Sequence, residues 1–353
     1  MNVLLLGGTG AMGTHLASIL NSQNHQVYVT SRTSRKSYEN VSFIKGNAHD
    51  NSFLNSLLNK KWDCIVDFMV YNTSEFQARV ESILDATKQY VFLSSSRVYA
   101  DSYTPITEKS PRLLDVCEDK DYLATDEYAL TKARQENILF KNLRKNWTII
   151  RPYITYSEQR LQLGVMEKEE GLYLALCSNA LVFSKDIASK KTTLTYGFDV
   201  ARGIASIIGQ EKAYGQAFHI TGSKNLTWQK VFEIYQEVLN KNGFVSKVYM
   251  PNVCYRIENN AAKYQVMYDR YFNRCFDNSK ISEFVDISTF KDVEVGLKEC
   301  LEYFLKNKEE IKCSLNIGFI KAIRDYGISI PLKSILGYKH KIKYILTKMK
   351  LYK

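Results

Sequence analysis

The sequence predicts an α/β fold: a doubly wound parallel sheet, followed by a smaller C-terminal lobe and a basic helical tail. Three observations carry this reading. Apolar runs of strand length alternate with helix-like stretches through the N-terminal half, the pattern that specifies a parallel sheet with helices on both faces. A glycine-rich turn follows the first run at once. Finally, ten basic residues from Lys312 onward against Asp325 alone carry +9 of the formal +11 of the 353-residue chain, so the body is nearly neutral.

Val3-Leu4-Leu5-Leu6 is continuously apolar, as expected of a strand buried on both faces. Gly7-Gly8-Thr9-Gly10-Ala11-Met12-Gly13 comes next, and Thr14 to Leu20 reads as a helix with Leu16, Ile19 and Leu20 on one face. Gly7, Gly10 and Gly13 keep a G-x-x-G-x-x-G spacing, a variant of the Rossmann-type dinucleotide fingerprint. In that motif one glycine permits the turn, one lets backbone approach a pyrophosphate, and one lets helix and strand pack closely. The helix N-terminus then presents N–H groups to the anion. No Gly-Lys-Ser/Thr follows, which excludes a triphosphate loop.

The Gln26–Thr30 strand ends in Ser31-Arg32, with Arg35 and Lys36 behind. A carboxylate there would select NAD through the ribose 2′-hydroxyl; a hydroxyl and a guanidinium suit a 2′-phosphate. NADP is therefore expected over NAD, the competing reading being a solvated basic loop. The Val41–Gly46 strand leads to Asn47 and Asp50, placed to read an adenine edge. After a helical stretch from Phe53 to Leu58 come the strand-like Cys64–Val70 and Gln89–Leu93, the latter running into Ser94-Ser95-Ser96-Arg97-Val98-Tyr99. Ligands of such sheets bind beyond the strands' C-terminal ends, which puts Ser94 to Ser96 at the site.

Tyr128 and Lys132 are four apart on an expected helix from Tyr128 to Leu143, hence on one face. A phenol titrating near ~10 is a poor acid–base catalyst at neutral pH, and an adjacent ammonium favours its phenolate. Alone, such a pair is ordinary on a surface helix; downstream of the glycine turn and the serine strand end it is a catalytic candidate.

With these residues in order, the chain resembles the extended short-chain dehydrogenase/reductases, the NAD-dependent epimerase/dehydratase family that modifies nucleotide sugars. The match rests on Gly7–Gly13, Ser94–Tyr99, Tyr128-x-x-x-Lys132 and Ile150-Arg151-Pro152, and more weakly on Asp199-Val200-Ala201, Phe218-His219-Ile220 and Thr227, over roughly residues 1–310. The resemblance implies Ser95, Tyr128 and Lys132 as catalytic residues. Tyr128 is then the acid/base, Lys132 holds the nicotinamide ribose, and Ser95 orients the hydroxyl or carbonyl. It implies cofactor contacts from Gly7, Thr9, Gly10, Ala11, Met12, Gly13, Ser31, Arg32, Asn47, Phe68, Ser94, Lys132 and Tyr153, and substrate contacts from Ser95, Ser96 and Tyr128. A homodimer through the Tyr/Lys helix and its neighbour is also implied.

Departures from the family pattern are the absent acid at position 31, Asn47 for Asp, and Asp67–Tyr71 for the usual segment. Tyr156-Ser157 also stands where Tyr-Gly is frequent. Ser96-Arg97 after Ser95 leaves no carboxylate for eliminating water, which disfavours dehydration. Epimerase and reductase stay open. The alternative is a non-catalytic relative that binds a nucleotide or RNA. No nucleic-acid partner is expected, because the positive charge sits in the tail rather than around the fold.

Residues 1–155 are expected to form the dinucleotide-binding domain, with 190–225 returning to it; 156–189 and 226–311 form a substrate lobe, and 312–353 the tail. In the lobe, Leu172–Val182 and Trp228–Leu239 read as helices, the second capped by Thr227. Tyr264, Tyr268, Arg270, Tyr271 and Arg274 offer stacking and phosphate contacts, or an ordinary helix surface. Seven cysteines without a C-x-x-C pair, and five scattered histidines, give neither a disulfide framework nor a metal site and point to the cytoplasm. No apolar run reaches the ~18 residues of a membrane span, and Met1-Asn2-Val3 enters a strand rather than a signal peptide. In the tail, Ile335, Tyr338, Ile342, Ile345, Leu346 and Met349 recur at helical spacing between lysines. This stripe suits an anionic membrane surface through 331–353, at the inner face of a membrane, or packing against the body or a neighbouring subunit.

Overall fold

The structure, a computed structural model, describes residues 1–260, 262–311 and 315–351. Two of the tail lysines, Lys312 and Lys353, lie outside the described residues. The chain divides into two compact units: residues 1–155, 193–223 and 275–291, and residues 156–192, 224–274 and 292–353.

The first unit is built on β1 (Asn2–Leu6), β2 (Gln26–Ser31), β3 (Val41–Lys45), β4 (Trp62–Asp67), β5 (Thr87–Leu93), β6 (Trp147–Pro152) and β7 (Gln216–Ile220). They form one parallel sheet in the order β7-β6-β5-β4-β1-β2-β3. Alternation along β1 shows why its run is wholly apolar. Val3 and Leu5 join the core under the helices Gly13–Ser22 and Gly197–Ile207. Leu4 and Leu6 join the opposite core, beneath Thr73–Ala86 and Tyr128–Lys141. The order reverses between β1 and β4, so the turns after these two strands flank the switch point, where ligands of such sheets bind.

At that point Gly7 adopts φ +69°, open to glycine at little cost, and its N–H donates to the buried Thr30 Oγ1 at 2.8 Å. A Cβ on Gly7 would stand 2.7 Å from Met69 Sδ in the turn after β4. Gly13 opens the first helix so close to the loop that a Cβ there would lie 2.6 Å from the Gly8 backbone, whereas one on Gly10 meets nothing within 4 Å. The close approach thus joins helix to loop, and the open side is at Gly10.

Cys275–Lys291, assigned from sequence to the substrate lobe, belongs to the first unit. Long-range hydrogen bonds hold it there: Lys291 N–H donates to Asp199 (2.8 Å), Arg202 to Thr289 Oγ1 (2.7 Å), and Ile106 N–H to the Cys275 carbonyl (2.8 Å).

In the second unit the helix Trp228–Lys241 is capped by Thr227, whose Oγ1 accepts from Lys230 N–H at 3.1 Å. It buries Val231, Ile234, Tyr235 and Val238, and packs on Val293–Lys306. The expected helix Leu172–Val182 is instead Gly171–Ser178 ending at Asn179, whose left-handed φ of 49° turns the chain into a short strand, Ala180–Val182. Arg270 and Arg274 are buried around Asp269 rather than presented as surface phosphate contacts. The tail belongs to this unit and forms two helices, Ile317–Asp325 and Tyr338–Lys348.

The glycine geometry sets an asymmetry. Gly13→Ala, which meets fixed backbone, is expected to cost about 1–3 kcal/mol, and Gly10→Ala less than about 0.5 kcal/mol. Urea unfolding of the two variants checks it; equal midpoints would refute the packing.

Candidate active site

The turns after β1, β2, β3 and β4 enclose a cleft of about 290 Å³, at the small end of ligand pockets. It gathers Gly7, Thr9, Ser31, Arg32, Asn47 and Phe68 of the expected cofactor set, together with Thr30, Gly46, Ala48, His49, Met69 and Val70. Ser31 is buried, its Oγ accepting from Thr33 N–H at 3.3 Å, while Arg32 is exposed beside it. Asn47 Oδ1 accepts from His49 N–H at 3.2 Å, which holds the turn after β3. Asp50 is not among the residues lining this cleft; it caps the helix Asn51–Leu58, accepting from Phe53 N–H at 2.8 Å.

The helix Gly13–Ser22 begins at Met12 with no side-chain cap. Ala11 and Met12 are half-buried, and Met12 Sδ lies 3.7 Å from Thr155 Oγ1. An uncapped helix N-terminus, open space at Gly10 and a guanidinium at Arg32 fit a dinucleotide's phosphates. Just past the C-terminal end of β6, Tyr153 packs against Phe276. Its buried hydroxyl has no hydrogen-bond partner among the described residues, which also fits a site completed by a ligand.

Tyr128 is the first residue of the helix Tyr128–Lys141, fixed by Glu127, whose carboxylate accepts from Ala129 N–H at 2.8 Å. One turn on, Lys132 is buried; its Nζ donates to the Leu93 carbonyl at 2.7 Å and lies 6.0 Å from the Tyr128 ring centre. Burial pulls the ammonium down to about 8, against the upward pull of Asp67 and Glu136. Ser95 lies two residues past β5 and starts a short turn, its Oγ accepting from Arg97 N–H at 3.2 Å. The Arg97 guanidinium stands 5.4 Å from the Tyr128 ring centre and pairs with Glu127 at 2.5 Å. Strand end and helix start are thereby held together, with Tyr128 between two cations.

Beneath them lies a charge network that sequence reasoning missed. Glu136 has no exposed surface, and its carboxylate accepts both Arg151 Nε and a terminal nitrogen at 2.8 Å, Arg112 at 3.1 Å and the Ser94 hydroxyl at 2.6 Å. The Ser94 hydroxyl is thus engaged by this network, and the Ser96 hydroxyl, fully buried, donates to the Arg151 carbonyl at 2.7 Å. The helical spacing of Lys132 and Glu136 and the arginine in Ile150-Arg151-Pro152 were the available signals. Among the described residues no cluster of His, Cys, Asp or Glu could hold a metal.

A sequence profile of the NAD dependent epimerase/dehydratase family matches residues 3–220. The chloroplast stem-loop binding protein of 41 kDa b from Arabidopsis thaliana is 26% identical over 243 residues, a match spanning 64% of this chain and 60% of that protein. A 2′-dehydrokanamycin reductase from Streptomyces kanamyceticus is 20% identical over 254 residues, 68% of this chain and 67% of the reductase. Among solved structures, UDP-glucuronic acid 4-epimerase from Bacillus cereus in complex with NAD superposes with a TM-score of 0.66 at 16% identity, covering 88% of this chain and 98% of the epimerase. The chain has the fold of these enzymes, and with more than half its length matched it belongs to the NAD dependent epimerase/dehydratase family.

Proposed function

We propose that the protein is an NADP-dependent epimerase or reductase acting at a sugar carbon of a nucleotide sugar, with Tyr128 as its acid/base. The observation that carries this reading is the buried Lys132 ammonium, anchored on Leu93 one helical turn from Tyr128. Structures of similar fold include enzymes of nucleotide sugars, and one relative is a 2′-dehydrokanamycin reductase. A bound nicotinamide supplies the hydride acceptor or donor. Tyr128 takes the proton from the reacting hydroxyl or returns it to the carbonyl, and Ser95 orients that oxygen. Lys132 and Arg97, both cationic, favour negative charge on the phenol oxygen. Glycines 7, 10 and 13, Thr9, Ala11 and Met12 seat the pyrophosphate, Ser31 and Arg32 receive a 2′-phosphate, and Asn47 and Phe68 border the adenosine. Pairing of two copies through the helices Thr73–Ala86 and Tyr128–Lys141 belongs to the same reading.

A second reading, a non-catalytic relative that binds a nucleotide or RNA, is favoured by the likeness to the chloroplast stem-loop binding protein. The two part on one variant. Tyr128→Phe is expected to lower kcat by about 10²–10⁴-fold while leaving NADP affinity unchanged; a protein that neither turns over nor retains a nicotinamide cofactor, yet binds a stem-loop, is the RNA binder instead.

Cofactor choice is tested at the turn after β2. Arg32→Gln is expected to weaken NADP by at least about tenfold, as loss of a charge-assisted contact does, and to leave NAD little changed. Calorimetric titration with each cofactor reads this, and tighter NAD than NADP in the unaltered protein would refute the assignment.

The pH dependence follows from Lys132. Its ammonium is held low by burial, so the charge is lost as pH rises through about 8, and kcat/KM is expected to fall over that range. In Lys132→Met activity is low throughout, and this falling limb is gone. A wild-type profile that keeps rising well above this range would contradict the role.

A further inference from the structure

We propose that the helix Tyr338–Lys348 is an interfacial anchor that lays the protein on an anionic lipid bilayer. The helix carries two apolar faces. Tyr344 and Thr347 turn inward, buried against the second unit, where Tyr344 Oη accepts from Ile330 N–H at 2.7 Å. Tyr338, Ile342 and Ile345, followed by Met349 at the C-cap, are 79%, 40%, 38% and 62% exposed. At roughly 100° per residue these four occupy about 60° of the circumference, on the side roughly opposite Tyr344 and Thr347. Leu336 and Leu351 extend the exposed apolar surface at either end, at 73% and 66%.

Lysines border the outward stripe on both sides. By the same spacing Lys339, Lys343 and Lys350 run along one edge, and Lys341 and Lys348 along the other. No Asp or Glu follows Asp325 in the chain. An inward apolar face explains packing on the protein; it leaves unexplained a second, outward stripe framed by one sign of charge. A helix with an apolar stripe between lysines suits the headgroup region, where the stripe enters the acyl boundary and the ammonium groups meet lipid phosphates. A second copy docking on this face would set lysine against lysine, as a two-fold contact must. No described helix is long and apolar enough to cross a membrane, so the geometry is that of a helix lying in the surface.

The test uses the full chain and flotation with vesicles of phosphatidylcholine alone or with phosphatidylglycerol. Expected is flotation only with the anionic vesicles, weakened by raised salt. Ile342→Ser with Ile345→Ser, both at exposed positions that leave the inward face intact, should reduce partitioning at least about tenfold, as expected for two apolar chains withdrawn from the acyl boundary. Each of Lys339→Gln and Lys343→Gln should reduce it about fivefold. Circular dichroism and the thermal midpoint confirm that the variants fold. Equal partitioning of wild type and variants, flotation indifferent to lipid charge, or a concentration-dependent dimer abolished by the same substitutions without vesicle binding would each overturn the proposal.

Discussion

The buried carboxylate of Glu136 is the constraint on which the catalytic geometry depends. It receives hydrogen bonds from Arg151 on β6, from Arg112, and from Ser94 at the end of β5, so three separated stretches of chain converge on one side chain. Taking charges out of water is costly, and such a cluster persists only when every lone pair finds a donor. Withdrawing Glu136 itself would strand the buried Arg151 guanidinium without its counter-ion, at a cost of about 3–5 kcal/mol. Glu136 lies one turn beyond Lys132 and two beyond Tyr128, so fixing it fixes the rotation of the whole helix against the strand ends. A slip by one residue would turn Lys132 away from the Leu93 carbonyl at the end of β5, and Tyr128 with it.

The same network sets the electrostatics above it. Burial alone would strip Lys132 of its proton, and Asp67 and Glu136 oppose that loss. Asp67 sits at the end of β4 with Tyr90 Oη donating at 2.9 Å, its carboxyl pushed up mainly by burial. The ammonium is thus kept charged near neutrality but within reach of deprotonation, and the carbonyl of Leu93 gives it one direction. A cation so placed is prepared before any ligand arrives, which removes the cost of reorganising it during reaction.

Much of this was legible in the sequence because it is local. Apolar runs give strands, and glycine spacing gives the turn after β1. A four-residue interval gives the shared face of Tyr128 and Lys132. What escaped the sequence depends on contacts across long separations. Nothing near Asp50 distinguishes a helix cap from an adenine contact, since both need an acid just past a strand. The partners of the Ser94 and Ser96 hydroxyls, Glu136 and the Arg151 carbonyl, lie 42 and 55 residues away. Cys275–Lys291 joins the first unit through hydrogen bonds to residues 199, 202 and 106, which no window of sequence contains. In the tail, periodicity picked out the stripe through Ile342, and burial adds the inward face at Tyr344 that the stripe left out.

Arg97 bears on the chemistry that Tyr128 can carry. Elimination of water from a sugar needs an acid to protonate the departing hydroxyl, and the position two after Ser95 holds a guanidinium. The carboxylate that precedes Tyr128 in the chain, Glu127, is already occupied: one oxygen pairs with Arg97, and the other accepts from Ala129 N–H and Tyr122 Oη. A proton donor drawn from that carboxylate would have to break the helix cap and the ion pair together. Two cations stand near the Tyr128 ring instead, the Arg97 guanidinium 5.4 Å and the Lys132 ammonium 6.0 Å from its centre. On the proposed reading, the guanidinium of Arg97, tied to Glu127, stands where a dehydrating site would need a free acid.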